Sequence, residues 1–177
     1  MADKQFDVML DLETMGTSSN AAIVAIGAVA FDIDAGTVGD RFYRVVDLGT
    51  SVAMGGEIDA DTVLWWMQQS DEARAMFTRD SVPLSVALAE FEVWMSERGE
   101  MTGARVWGNG AAFDNVILSS AYRRSAIKQP WPHWNDRCYR TIKALYPDVK
   151  LERVGTHHNA VDDAESQARH LIAMLKR

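Results

Sequence analysis

A chain of 177 residues, 47% apolar and 24% charged, can bury a sizeable core and reads as one soluble globular domain over 1–177. No apolar run approaches the ~20 residues of a membrane span, the start lacks a secretory pattern and the single Cys138 has no disulfide partner, so a cytoplasmic protein with no membrane contact is expected. A net charge of −7 argues against an extended basic surface for long nucleic-acid tracts, but not against a cleft that grips a few nucleotides at a chain end.

The stretch 6–16 reads as an apolar strand whose end carries Asp11 and Glu13. Strand side chains two apart share a face, so these carboxylates repel each other unless a cation stands between them. Hard divalent ions that take oxygen ligands, Mg²⁺ or Mn²⁺, suit that place. Thr17 to Asn20 is turn chemistry; 23–31 reads as a second, buried strand, 32–37 as a hairpin loop and 40–46 as a third strand. Three strands joined by short loops predict an antiparallel meander.

The pattern then turns helical. Asp59 or Asp61 can cap a helix carrying Val63, Leu64, Trp66 and Met67, and Ser70 can cap the next. Leu84, Ala87, Leu88, Phe91, Trp94 and Met95 form a helical stripe closed by Gly99. A short strand at 104–107 and a helix at 112–124 follow. Pro130 and Pro132 make 129–134 extended or loop-like, 138–146 reads as a helix stopped before Pro147, and 160–176 as a final helix with Val161, Ala164, Ala168, Leu171 and Leu175 on one face. Meander strands, helices, then alternating strand and helix predict an α/β domain with a mixed sheet flanked by helices.

Two further stretches carry chemistry. Asn109 to Asp114 follows the strand 104–107, which puts Asp114 at a helix N-terminus beside a strand end; His157 to Glu165 lies where a loop enters the last helix. Two dications about 3.5–4 Å apart need several carboxylates and can clamp the attacking and leaving oxygens of a phosphodiester. Histidine titrates in the range a base for water requires. Each residue alone has a structural alternative: Asp11 and Glu13 as solvated strand-end charges, Asp114 as a first-turn carboxylate favoured by the helix dipole, His158 as a loop histidine. Trp65, Trp66 and Trp94 sit on helical patterns that suit packing in a core or groove. Trp131 and Trp134, beside Arg137 and Arg140, can either stack on bases or pack.

Asp11-Leu12-Glu13-Thr14, then Asn109 to Asp114 with Phe113, then His158 to Asp163 resemble, in order, the three motifs of the DEDDh (DnaQ-like) 3′–5′ exonucleases, which have an RNase H-like fold. A closer similarity to phage DexA-type DNA exonucleases rests on Asp11 to Gly16, Asp61 to Trp66, Gln69 to Arg74 and Trp134 to Thr141; it is weakest over 38–56 and in the last helix's tail. The resemblance implies that Asp11, Glu13, Asp114 and Asp163 hold two Mg²⁺ or Mn²⁺ ions and that His158 is the general base. It implies that Thr14, Met15 and Gly16 receive the terminal nucleotide, with Met15 against its base. Asn109, Phe113, Arg137 and Arg140 would contact substrate, and the product would be a nucleoside 5′-monophosphate. His157 and Asp162 have the same spacing as His158 and Asp163, but Ala160 and Ala164 fit the family pattern only with the latter pair. The expected partner is a single-stranded 3′ end, DNA ahead of RNA, and a homodimer is compatible with the family. The alternatives are an exoribonuclease on the same scaffold, a small-molecule phosphodiesterase, and a non-catalytic nucleic-acid-binding module, against which the intact five-residue set stands.

Overall fold

The computed structural model describes residues 5–176, so the domain reading of 1–177 runs at both ends onto residues outside the described ones. Strands β1 (Phe6–Thr14), β2 (Ile23–Asp32), β3 (Thr37–Val45), β4 (Ala104–Gly108) and β5 (Asp136–Cys138) form one sheet in the order β3-β2-β1-β4-β5. The first three pair antiparallel, as the meander requires, while β4 runs parallel to β1 and β5 parallel to β4. Around the sheet lie α1 (Leu48–Ala53), α2 (Ala60–Met67), α3 (Asp71–Arg74), α4 (Leu84–Ser96), α5 (Asp114–Arg124), α6 (Tyr139–Leu145) and α7 (Ala160–Leu175). This is the expected mixed sheet flanked by helices.

The middle strand β1 is covered on both faces. Val8, Leu10 and Leu12 pack among Leu84, Leu88 and Phe91 of α4 and Leu118 and Tyr122 of α5, whereas Met9 meets Ala164, Ala168 and Leu171 of α7. Alternation therefore sends Asp11 and Glu13 towards α7. All six stripe positions of α4 are buried. Each large one contributes about 1.5–3 kcal/mol.

Several local expectations move. Asp59, not Asp61, is the α2 cap, and its side chain accepts from the Asp61 N–H. Helix α5 starts at Asp114 rather than 112, β3 starts three residues earlier than expected, and α1 and β5 lie where the sequence signalled no element. Trp131 resolves to packing: it is 2% exposed, its ring meets Phe91 and Tyr122 edge-on, and its Nε1 donates to Asp136 Oδ1 at 2.8 Å. It is core, not a base platform. Trp134 is 70% exposed.

Candidate active site

The site is assembled where β1 and β4 end. Asp11 pairs across the sheet with Gly27 of β2. A Cβ on Gly27 would stand 2.2 Å from the Ala160 carbonyl carbon and 2.3 Å from the Val161 nitrogen, so only glycine lets α7 enter against the sheet at that point. Asn159 caps α7. Its first turn then separates two neighbouring acids. Asp162 turns outward, ion-paired to Arg41 and accepting the Thr156 N–H at 2.9 Å. Asp163 turns inward, so that one carboxylate oxygen from each of Asp11, Glu13 and Asp163 lies within 4.8 Å of the others. Asp114, in the first turn of α5, accepts the Leu12 N–H at 3.2 Å and so stands against β1 beside them.

Crowding these acids raises the free energy of their charged forms. Burial first, then the charges of Asp114 and Asp163, holds the Asp11 carboxyl well above the usual carboxylate range. Burial, then Asp11, Asp163 and Asp114, does the same to Glu13. Asp114 is pushed up to about 7 by burial, against the opposing pull of backbone N–H groups. A hard-oxygen donor set, partly desolvated and mutually repelling, is what a small divalent cation relieves. The residues fit such an ion.

His158 lies beside them in the left-handed backbone region at φ +64°, uncommon for a residue with a side chain. Its N–H donates to Asp163 Oδ2 at 2.8 Å, and its ring meets Trp65 edge-on at 4.9 Å. Burial, then the neighbouring His157, lowers its pKa, so the ring is neutral and able to accept a proton at neutral pH. His157 stacks on it with centroids 3.7 Å apart, and both imidazoles line the cleft.

The cleft has a volume of about 240 Å³, and Asn109, Phe113 and Arg140 line it with the acids and histidines. A second hollow of about 520 Å³ shares Leu12, Glu13 and Phe113 with it and adds Thr14, Gly16, Asp59, Asp61 and Trp65. Asn109, Arg140, Lys143 and Leu151 of the cleft wall also line a groove of about 680 Å³, which shares no lining residue with that hollow.

Two expected substrate contacts lie elsewhere. Met15 is buried among Ala22, Val24 and Trp66, because β1 ends at Thr14 and the Met15 N–H turns to the Ala22 carbonyl. Arg137 is not in the cleft wall, and its Nη1 donates to the carbonyls of Trp134 and Asp136. The structure adds two residues the sequence did not single out: Gln167 Nε2 donates to Asp11 Oδ1 at 2.8 Å and Arg153 Nη1 to Asp163 Oδ1 at 2.7 Å. Trp66, expected to pack, is buried and its Nε1 donates to the Thr14 carbonyl at 3.0 Å. Gln167 was findable, four residues after Asp163 on one helix face. Arg153 had no local signal.

Comparison with known proteins follows the same lines. A family model described as a 3′–5′ exoribonuclease Rv2179c-like domain matches residues 6–175. An exodeoxyribonuclease of Enterobacteria phage T4 is 26% identical over 164 residues, covering 79% of this chain and 72% of that protein. The nuclease domain of 3′hExo, a DEDDh family member solved with rAMP, superposes with a TM-score of 0.64 at 14% identity, over 97% of this chain and 92% of that one. E. coli exonuclease I, solved with a dT13 oligonucleotide, gives 0.61 at 18% identity over 98% of this chain and 40% of its own. At these identities the two structures bear on the fold alone.

Proposed function

Since the chain belongs to the Rv2179c-like 3′–5′ exoribonuclease domain family, within the DEDDh exonucleases of RNase H-like fold, and is a 3′–5′ exonuclease, we propose that it hydrolyses the last phosphodiester of single-stranded 3′ ends with two divalent cations. The observation that carries this reading is the meeting of Asp11, Glu13 and Asp163 oxygens within 4.8 Å, with Asp114 and His158 against them. Asp11, Glu13, Asp114 and Asp163 would hold the ions, Mg²⁺ or Mn²⁺. Bound there, such ions supply the charge that offsets the phosphate oxygens and that lowers the pKa of water.

The chain's own residues do the rest. His158, neutral through burial, takes the proton of the attacking water. Its N–H contact to Asp163 fixes the loop that carries it. Gln167 orients Asp11. The 520 Å³ hollow receives the terminal nucleoside, with Thr14 and Gly16 at the sugar and Trp65 and Phe113 at the base. The product is a nucleoside 5′-monophosphate.

DNA is the substrate that the phage relative supports. A second reading, RNA, has the family description behind it and one specific observation: Asp59 and Asp61 line the nucleoside hollow and offer acceptors to a 2′-hydroxyl donor. The experiment is a time course on sequence-matched, 5′-labelled DNA and RNA strands in Mg²⁺, Mn²⁺ or EDTA. A ladder shortening from the 3′ end and stopped by EDTA is expected, and the faster strand names the substrate. Intact strands under every condition would overturn the proposal.

A further inference from the structure

Arg153 belongs to the stretch between α6 and α7, and its main chain is tied to α7 on both sides of the next turn. The Val154 N–H donates to Ser166 Oγ at 2.8 Å and the Thr156 N–H to Asp162 Oδ2 at 2.9 Å. Gly155 between them is left-handed at φ +66°, and a Cβ there would stand 2.2 Å from Asp162 Oδ2. The backbone is thus positioned while the Arg153 side chain stays 48% exposed. That side chain lines the cleft with Asp11, Glu13 and His158.

Its ion pair is with Asp163 Oδ1, on a carboxylate already grouped with Asp11 and Glu13. The contact engages Nη1, whereas a guanidinium carries five N–H donors in a planar fork that matches phosphate oxygens. Charge around the cleft is also divided. Asp59 and Asp61 lie on the side of the nucleoside hollow. Arg140 and Lys143 line the 680 Å³ groove, with Lys150 further along it, and none of the three lines that hollow. Among the described residues, Arg153 is the cation ion-paired to one of the central acids.

We propose that Arg153 is a substrate-contacting residue that binds a backbone phosphate, and that it shares Asp163 with the cation site. This rests on the nuclease reading above. Its consequence is a pair of effects of opposite sign. A dication at Asp163 meets Arg153 as a competing positive charge, whereas an oligonucleotide phosphate meets it as a partner. A residue that only braces the loop would weaken both kinds of binding when removed.

The test uses the full chain as wild type, Arg153→Ala and Arg153→Lys, with two readouts that need no turnover. One is titration with Mn²⁺ alone. The other is binding, by anisotropy in Mn²⁺, of a labelled single strand whose 3′-terminal linkages are phosphorothioates, over a range of salt. Arg153→Ala should bind Mn²⁺ about fivefold more tightly, the scale of one partly exposed ion pair. It should bind the strand roughly tenfold more weakly, with a log–log salt slope shallower by about 0.7. Arg153→Lys should fall between, since a point charge replaces the fork. Weaker or unchanged Mn²⁺ binding in Arg153→Ala overturns the sharing of Asp163. Unchanged strand binding and salt slope overturn the phosphate contact. A wild type that binds strands and never shortens ordinary ones overturns the nuclease reading instead, while both readouts still decide Arg153.

Discussion

Neutralising one acid in a crowded cleft should stabilise the protein and disable it at once. The folded-state pKa of Asp114 is raised to about 7 from 3.8. The folded chain therefore holds a proton that the unfolded chain releases, and stability falls as pH rises from about 4 to about 7, then levels off. Asp114→Asn keeps an acceptor for the Leu12 N–H and removes that dependence. In EDTA its melting temperature should exceed the wild type's by on the order of 10 °C at pH 8 and by much less at pH 4, taking about 1.4 kcal/mol per pKa unit and about 2–4 °C per kcal/mol. Strand shortening should be lost. Retained shortening, or a gain in melting temperature that ignores pH, would remove Asp114 from the acid cluster. His158→Asn calls for a different control, because Asn tolerates the left-handed backbone that His158 occupies. The rate should fall by about 10²–10⁴ with the melting curve little changed, and His157→Asn should fall far less. The reverse ranking would make His157 the base. A rate–pH profile separates the two kinds of group. Because His158 is lowered from the ordinary imidazole value while Asp114 is pushed up to about 7, the carboxylate is expected to set the acid limb. Raising Mn²⁺ should then move that limb to lower pH, as cations displace protons from carboxylates; a limb fixed at all Mn²⁺ concentrations would point to the imidazole.

At the scale of elements, the approach of α7 to β2 decides whether Asp163 reaches Asp11. Gly27 permits it, and the atoms a Cβ would strike are main chain at Ala160 and Val161, which cannot turn aside. Gly27→Ala should destabilise the fold by about 1–3 kcal/mol and abolish the rise in melting temperature that Mn²⁺ gives the wild type. Gly39→Ala in β3, where the nearest atom is 3.4 Å away, is the matched control and should change neither. A Gly27→Ala protein still stabilised by Mn²⁺ would show that the site does not depend on this contact. The same contrast explains what the sequence disclosed. The α4 stripe was legible because the six buried positions are set by local period alone. The carboxylates of β1 were legible for the same reason, strand alternation, and the order of the three motifs supplied Asp114, His158 and Asp163. What stayed hidden is non-local. The polar trio of β5 is a strand only because it pairs with β4, Trp131 is core only because α4 and α5 lie over it, and Met15 turns inward only because the chain folds back to Ala22. Arg153 joins the site through a loop whose anchors, Asp162 and Ser166, are ordinary residues until α7 is in place.

For the whole molecule, a net charge of −7 repels a polyanion on average, so a strand depends on the cations that line the cleft and its groove. These are Arg140, Lys143 and Arg153, with Lys150 further out. Three or four phosphate contacts on a single strand correspond to a log–log salt slope of about −2 to −3, against the 6–10 contacts of proteins that grip long tracts. Efficiency should therefore stop rising with length once the strand covers that groove, at roughly five nucleotides, since a further phosphate lies beyond these four cations. On the proposed function the terminal base also enters the hollow lined by Trp65 and Phe113, which a base still paired in a duplex cannot do without unstacking. The measurement is kcat/KM on single strands of four, eight and sixteen nucleotides and on a blunt duplex, each from low to high salt. Near-equal values for the two longer strands, a shallow slope and a resistant duplex are expected. A steady rise to sixteen nucleotides, with a slope steeper than about −5, would place a longer binding track on this surface than its charges allow.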